Sequence, residues 1–259
     1  MKKIILLLSM TSINMFGQLS PAITTWSLNP GNAIGYGNFR TNVLKVQYDA
    51  NFAYVRTNDV PDYMPANAGP PPGIDWWPNN PWFPDSMGYT FKIRLNPAPQ
   101  TGSMVPAPYG HIGVWRNGVS IYNPKDAKSY NTLNVWFQNA FYWEHLLAET
   151  FDVCWGHPNG SHEYHTHQSP ACLYDVNANT VHSPLVGYAF DGYPIYGAHA
   201  YTNTDGTGPI KRMVSSYQLR NITDRTTLVS GPITNTLNYG PSLATVPLGG
   251  YMEDYEYVP

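Results

Sequence analysis

Residues 89–95 read Tyr-Thr-Phe-Lys-Ile-Arg-Leu, and this stretch decides the fold class. Tyr89, Phe91, Ile93 and Leu95 recur every second residue, with Thr90, Lys92 and Arg94 between them. A period of two puts the apolar set on one face of a strand, which is the pattern of a half-buried β-strand. Upstream, Leu44, Val46 and Tyr48 alternate with Lys45 and Gln47, and Asp49-Ala50-Asn51 turns the chain back into Phe52–Arg56. Downstream, Ile112–Tyr122 carries Asn117-Gly118 at its middle, a type I′ hairpin signal. Val186–Tyr196 repeats the theme around Asp191-Gly192. Residues 141–150 (FYWEHLLAET) form the best helix candidate, a short one. Between the strands runs a long irregular loop, residues 58–88, with eight Pro and with Trp76, Trp77 and Trp82. The expectation is a mainly β fold with one or two short helices, an antiparallel sandwich-like or barrel-like domain with long loops.

Composition agrees. Charged residues make up 12% of the 259, against about 25% in an average soluble domain. Aromatics reach 14%, and there are 22 Gly and 24 Pro. So many aromatics and so few charges exclude disorder, and frequent Pro and Gly exclude a coiled coil. The net charge is −3 with no Lys/Arg cluster, which excludes a nucleic-acid partner. Lys2 and Lys3 precede the apolar run Ile4–Leu8, the layout of a secretory signal peptide. Residues 1–17 are read as that signal, cut after Gly17, and 18–259 as one domain, secreted or periplasmic. The run is too short to span a bilayer, and no later segment approaches the roughly 18 apolar residues a span needs. Cys154 and Cys172 stand 18 apart. In an oxidising compartment such a pair reads as a disulfide, which on the chain-entropy view stabilises by about 3 kcal/mol. Two thiolate metal ligands are the alternative, without the CxxC spacing that would favour them.

Four of the eight His fall between those Cys: His157, His162, His165 and His167. On a strand, His165 and His167 share a face and can bind one cation. His157, after a Gly and before a Pro, is expected on a turn from which it folds back as a third ligand. His162 lies on the opposite strand face and is the weaker candidate, with His182 as a further possible ligand. Three imidazoles suit zinc or copper. HExxH is absent, and the Glu a cupin pattern needs is replaced by Ala171 and Cys172. Glu144 is a candidate partner for a ligand imidazole. Asp191 is either a turn aspartate bonding its own backbone or a carboxylate acting near the His cluster. Asp191 and Glu144 are the catalytic candidates.

The same residues resemble a known family, the YHYH domain proteins, which are exported and have no established reaction. The resemblance rests on Asp152-x-Cys154-x-Gly156-His157-Pro158, Tyr164-His165-Thr166-His167 and Pro170-x-Cys172-Leu173. It continues through His182-Ser183-Pro184-Leu185, Asp191-Gly192-Tyr193-Pro194, Ser216-Tyr217-Gln218-Leu219-Arg220 and Glu253-Asp254-Tyr255-Glu256-Tyr257. It spans about residues 40–259. The name-giving motif reads YHTH here, with Thr166 in place of the second Tyr and both His retained. His111, His145 and His199 are not carried over as ligands. Family members resembling this chain continue past EDYEY, so a truncated C-terminus is expected. The resemblance implies an extracellular or periplasmic domain with a His-rich site.

Three functional readings follow. The first is a metal-dependent hydrolase or oxidase, with copper or zinc inside the disulfide-bracketed loop. The second is a non-catalytic binding module for a small molecule, polysaccharide or peptide, using exposed Trp and Tyr. The third is structural, the His network only ordering the loop.

Overall fold

The computed structural model describes residues 25–29, 31–64, 77, 79–103 and 105–258. The signal-peptide reading of residues 1–17 lies outside the described residues, as does Trp76. In chain order the strands begin with β1 (Val43–Tyr48), β2 (Phe52–Thr57), β3 (Tyr89–Arg94), β4 (His111–Trp115) and β5 (Ser120–Tyr122). There follow β6 (Lys125–Ser129), β7 (Phe137–Asn139), a π-helix (Phe141–Leu147), β8 (Gly156–Pro158) and β9 (Tyr164–Thr166). Next come β10 (Leu185–Ala189), β11 (Pro194–Tyr196), β12 (His199–Tyr201), β13 (Ile210–Arg212) and β14 (Tyr217–Leu219). The chain ends through β15 (Thr227–Leu228), β16 (Gly231–Pro232) and β17 (Tyr255–Tyr257).

Strands β1–β2–β3 form one antiparallel sheet, and a six-stranded sheet runs β11–β10–β4–β5–β9–β8. Its pairs are antiparallel except β5–β9, which is parallel. Four two-stranded ribbons complete the set, and none of these sheets closes into a barrel among the described residues. The alternation in 89–95 buries Phe91, Ile93 and Leu95. They pack with Ala53 and Val55 of β2 against Val114 of β4 and Tyr188 of β10. One core therefore lies between the two sheets, as in a sandwich. A second core covers the other face of the larger sheet, where Trp115, Ile121, Tyr164 and Val186 meet Met64, Trp77 and Leu173. Trp77 of the long loop is thus a core residue, only 1% exposed.

The β4–β5 hairpin forms where expected, with a different turn. Asn117 does not adopt the left-handed backbone that a type I′ turn requires, and Gly118 alone does, at φ +87°. The Gly118 N–H donates to the Trp115 carbonyl, and the Trp115 N–H to the Val119 carbonyl, each at 2.8 Å. That is a three-residue loop closed by a left-handed Gly, whose twist matches the strands. The Asn117 amide is drawn away, donating to Asp62 at 3.2 Å. The helix candidate is also real but wound as a π-helix, with the Ala148 N–H donating to the Trp143 carbonyl.

A third core, Trp136, Val246 and Tyr251, holds the C-terminal segment against this region. There the buried Arg225 donates from Nε and Nη2 to both oxygens of Asp254, at 2.8 Å each. Asp254 also accepts the Gly249 and Tyr251 N–H groups. Trp143 of the π-helix in turn donates to the Gly250 carbonyl at 2.7 Å.

Ile93 is fully buried between the sheets. Ile93→Ala is expected to cost about 2–5 kcal/mol. The test is urea unfolding, where the midpoint falls and the slope is unchanged. An unmoved midpoint would mean that the inter-sheet core does not carry the fold.

Candidate metal centre

β8 and β9 are antiparallel neighbours in register, with His157 opposite His165. Directly opposed residues on one face approach closely, and His167 follows two residues on. The ring centroids lie 4.7 Å (157–165), 4.9 Å (165–167) and 5.7 Å (157–167) apart. His157 is therefore on a strand and not on the expected turn, because the turn falls later, at residues 159–162. The Asn159 side chain closes that turn, accepting the Ser161 and Glu163 N–H groups at 2.8 and 3.2 Å.

The start of β8 is pinned from behind. Cys154 and Cys172 form the expected disulfide, with Cα atoms 5.1 Å apart. One Asp152 oxygen accepts the Cys154 and Gly156 N–H groups at 2.8 and 3.0 Å. The other accepts the hydroxyls of Tyr164 at 2.7 Å and Tyr63 at 3.2 Å. A Cβ at Gly156 would overlap the Tyr164 hydroxyl, so glycine is required there by close approach.

The hydrogen bonds of the three rings assign their protons. His165 Nδ1 donates to the Glu163 carbonyl at 3.2 Å, and His167 Nδ1 to the Asn123 carbonyl at 2.7 Å. The Thr150 hydroxyl gives its one proton to the Glu144 carbonyl at 2.8 Å. It can then only accept from His157 Nδ1, 3.1 Å away. With every Nδ1 a donor, every Nε2 of a neutral ring is a bare lone pair. Yet His165 Nε2 and His167 Nε2 lie 3.1 Å apart, and the buried His157 Nε2 has no partner. Glu144 Oε2 lies 3.5 Å from Nε2 of both His157 and His167. It too is buried and unpartnered.

Acceptors facing acceptors without a proton between them repel, and a cation relieves that repulsion. One ligand atom from each of the three His lies within 4.8 Å of the other two. Around a tetrahedral ion at 2.0–2.1 Å, ligand atoms stand about 3.3 Å apart. The 3.1 Å separation of His165 and His167 is close to that value, and Glu144 Oε2 stands 3.5 Å from two of the rings. The residues present therefore fit zinc or copper in donor type and tautomer. The centre opens into a cleft of about 520 Å³ that Trp82, Tyr109, Lys125, Trp143 and Asn159 also line.

Behind the imidazoles lies a second buried cluster that the sequence did not announce. The Glu163 carboxylate accepts from Ser120 (3.0 Å), Tyr89 (2.8 Å), Tyr122 (2.9 Å) and His111 Nε2. Burial pushes its pKa up, but the His111 and tyrosine hydrogen bonds outweigh that and leave it at about 2. Asp59, fully buried beside Glu163 and Ser120, is raised well above the carboxylate range by burial and by the Glu163 charge, and keeps its proton. Tyr122 stacks on His165 with centroids 3.9 Å apart.

Other predicted residues fall elsewhere. His162 is exposed, donating to the Phe83 carbonyl at 2.9 Å with its ring edge-on to Trp82. His182 is held by the Ser183 carbonyl at 2.7 Å between Tyr196 and Tyr201. Asp191 is an exposed turn residue 3.4 Å from the Tyr193 N–H, and it lines a different, shallower cleft. His145 stacks between Phe141 and Phe151. Glu144, expected as a partner of a ligand ring, reaches the centre itself.

The sequence model of the family described as "YHYH protein" matches residues 90–259 of the chain. No curated protein and no solved structure matches it. Strands β1 and β2 lie outside the family match.

Burial holds the His167 imidazole down at about 4, and it holds His157 and His165 well below the ordinary histidine value. An unfolded chain takes up protons on these rings below about pH 6.5. Stability of the metal-free protein therefore falls as pH drops from about 6.5 toward 4, by about 3 kcal/mol for His167 alone. Glu144 opposes this. Burial, then Asp126, push it up to about 7. The folded chain keeps a proton that the unfolded chain releases above about pH 4.5, so that contribution is lost as pH rises through 7. Asp152, raised by burial to about 7, and Asp59, raised well above the carboxylate range, oppose it in the same way. The share of the His167 ring is read as the difference in urea midpoint between the metal-free wild type and His167→Gln. The wild type should lose ground to the variant as pH falls from 7 to 4, and a constant difference would contradict a neutral buried imidazole.

Proposed function

The chain belongs to the YHYH protein family, and from that premise we propose that its His157, His165 and His167 hold one zinc or copper ion at the floor of the cleft. The observation that carries this reading is the three facing Nε2 lone pairs, each left without a proton because its Nδ1 is a donor. Structural His networks alternate donors and acceptors, and this one does not. Three protein ligands leave a position open to solvent and ligand through the cleft, the arrangement of catalytic rather than closed structural sites. A bound ion of this kind lowers the pKa of water and polarises a carbonyl or phosphoryl oxygen.

The chain's own residues favour hydrolysis over redox chemistry. Glu144 presents an unpartnered carboxylate oxygen beside two of the ring nitrogens. There it can accept a proton from a water molecule at the centre, the part of a general base. The π-helix that carries it is a winding found mostly at functional sites. Export to an oxidising compartment belongs to the same reading and is supported by the disulfide. Among the described residues no helix is long and apolar enough to cross a membrane. The polysaccharide reading has less support. Of the three loop Trp, Trp77 is core and Trp82 lines the cleft.

Elemental analysis of the purified protein is expected to find about one equivalent of zinc or copper. The His165→Ala/His167→Ala double variant should hold none. No metal in the wild type, even after reconstitution, would overturn the reading. Glu144→Gln should keep the metal and slow hydrolysis of an activated ester by about 10²-fold. Equal rates would remove Glu144 from the chemistry.

A further inference from the structure

A second cleft, of about 370 Å³, opens on the far side of the disulfide loop, between that loop and β11–β13. Trp155, Gln168, Ser169, Tyr174, Tyr196 and Arg212 are among its lining residues. Its polar groups are unbalanced in the opposite sense to the imidazole centre. The Gln168 amide nitrogen and the Ser169 hydroxyl are buried with no hydrogen-bond partner. The Tyr174 hydroxyl accepts the Ala198 N–H at 3.2 Å, which leaves its own proton to give. Arg212 lies exposed on β13, and its guanidinium makes no hydrogen bond or ion pair among the described residues. No acidic side chain lines the cleft. Four donors thus line one cleft that no carboxylate of the chain lines, and an unmade hydrogen bond at a buried polar group is costly.

The walls are aromatic, and one of them is strained. Trp155 has φ +69°, a region that bulky residues rarely enter. Such an outlier persists only where the surroundings over-determine it, and outliers of this kind cluster at ligand sites. Here the neighbouring disulfide at Cys154 and the Trp155 N–H donating to the Asp152 carbonyl at 3.0 Å impose it. The result sets an indole against the cleft that also holds the rings of Tyr174 and Tyr196.

We propose that this cleft binds a small carboxylate with a flat apolar body. The carboxylate would face Arg212, Ser169, Gln168 and the Tyr174 hydroxyl, and the body would lie against the aromatic walls. Arginine favours this anion because its fork matches the two carboxylate oxygens. The site is independent of the metal reading.

Benzoate is the probe, titrated calorimetrically into the full chain, with benzyl alcohol as the uncharged control. Saturable binding of benzoate is expected at millimolar concentration or below, with benzyl alcohol at least about tenfold weaker. Arg212→Gln should weaken benzoate by about tenfold or more. Arg212 is exposed, so this variant should unfold at the wild-type temperature. Gln168→Leu provides a second, independent loss. Binding should survive both chelator treatment and the His165→Ala/His167→Ala variant. Three results would overturn the proposal: no saturable binding, binding indifferent to Arg212→Gln, or binding that disappears with the metal ligands and so belongs to the other cleft.

Discussion

The Asp152 carboxylate is the constraint on which the site depends. It accepts hydrogen bonds from two directions, among them the N–H groups of Cys154 and Gly156 and the hydroxyls of Tyr164 and Tyr63. The first pair shapes the turn that starts β8, and the second ties that turn to β9 and to the long loop. The disulfide closes the same region from the other end. With its first residue fixed this way, a three-residue strand holds register against its partner, and register alone sets His157 opposite His165. A slip of one residue would turn His157 to the other face. The geometry of the imidazoles thus follows from one buried carboxyl group several residues away.

The two clefts differ in what they lack. One gathers imidazole lone pairs without protons, the other unpartnered donors without a carboxylate. Both flank the loop between Cys154 and Cys172, and both depend on it being rigid. A flexible loop would relax until each polar group found a partner or water, since a buried unsatisfied group costs about 1–3 kcal/mol. A loop pinned at both ends and through Asp152 cannot relax in that way.

Much of this was legible in the sequence, and the reasons differ by residue. The period-two pattern of 89–95 located the inter-sheet core because a strand with one buried face must alternate. The pairing of His165 with His167 was legible for the same reason. The disulfide followed from spacing and compartment. The dipeptide Asn117-Gly118 fits both a two-residue and a three-residue loop, and the capture of Asn117 by Asp62 is a tertiary contact that no local pattern announces. Gly156 and Pro158, on either side of His157, are turn residues in isolation. Here the Gly is required by the Tyr164 hydroxyl packed against it. Glu163 and Asp59 carried no local signal at all. Their partners come from β3, β4 and β5, and no spacing rule joins residue 59 to residue 163.

The end of the chain illustrates the same limit from the other side. Glu253-Asp254-Tyr255-Glu256-Tyr257 enters the sequence reading only as part of the family resemblance. In the fold, Asp254 takes Arg225, and Glu253 accepts the Phe137 N–H at 2.7 Å. These contacts fix β7 and, through Trp143 and the Gly250 carbonyl, the π-helix. Glu144 therefore owes its place beside the imidazoles to a segment more than 100 residues later in the chain. Behind those imidazoles, Glu163 supplies a fixed negative charge. It stays ionised because four donors surround it, and its backbone carbonyl orients His165. A dication among neutral rings needs a buried counter-charge of this kind, since unpaired charge in the interior is strongly penalised. Glu163, just before β9, and Glu144, on the π-helix, differ in charge, one permanently ionised and one poised near neutrality. Only the second faces the open cleft, so only the second can exchange a proton there.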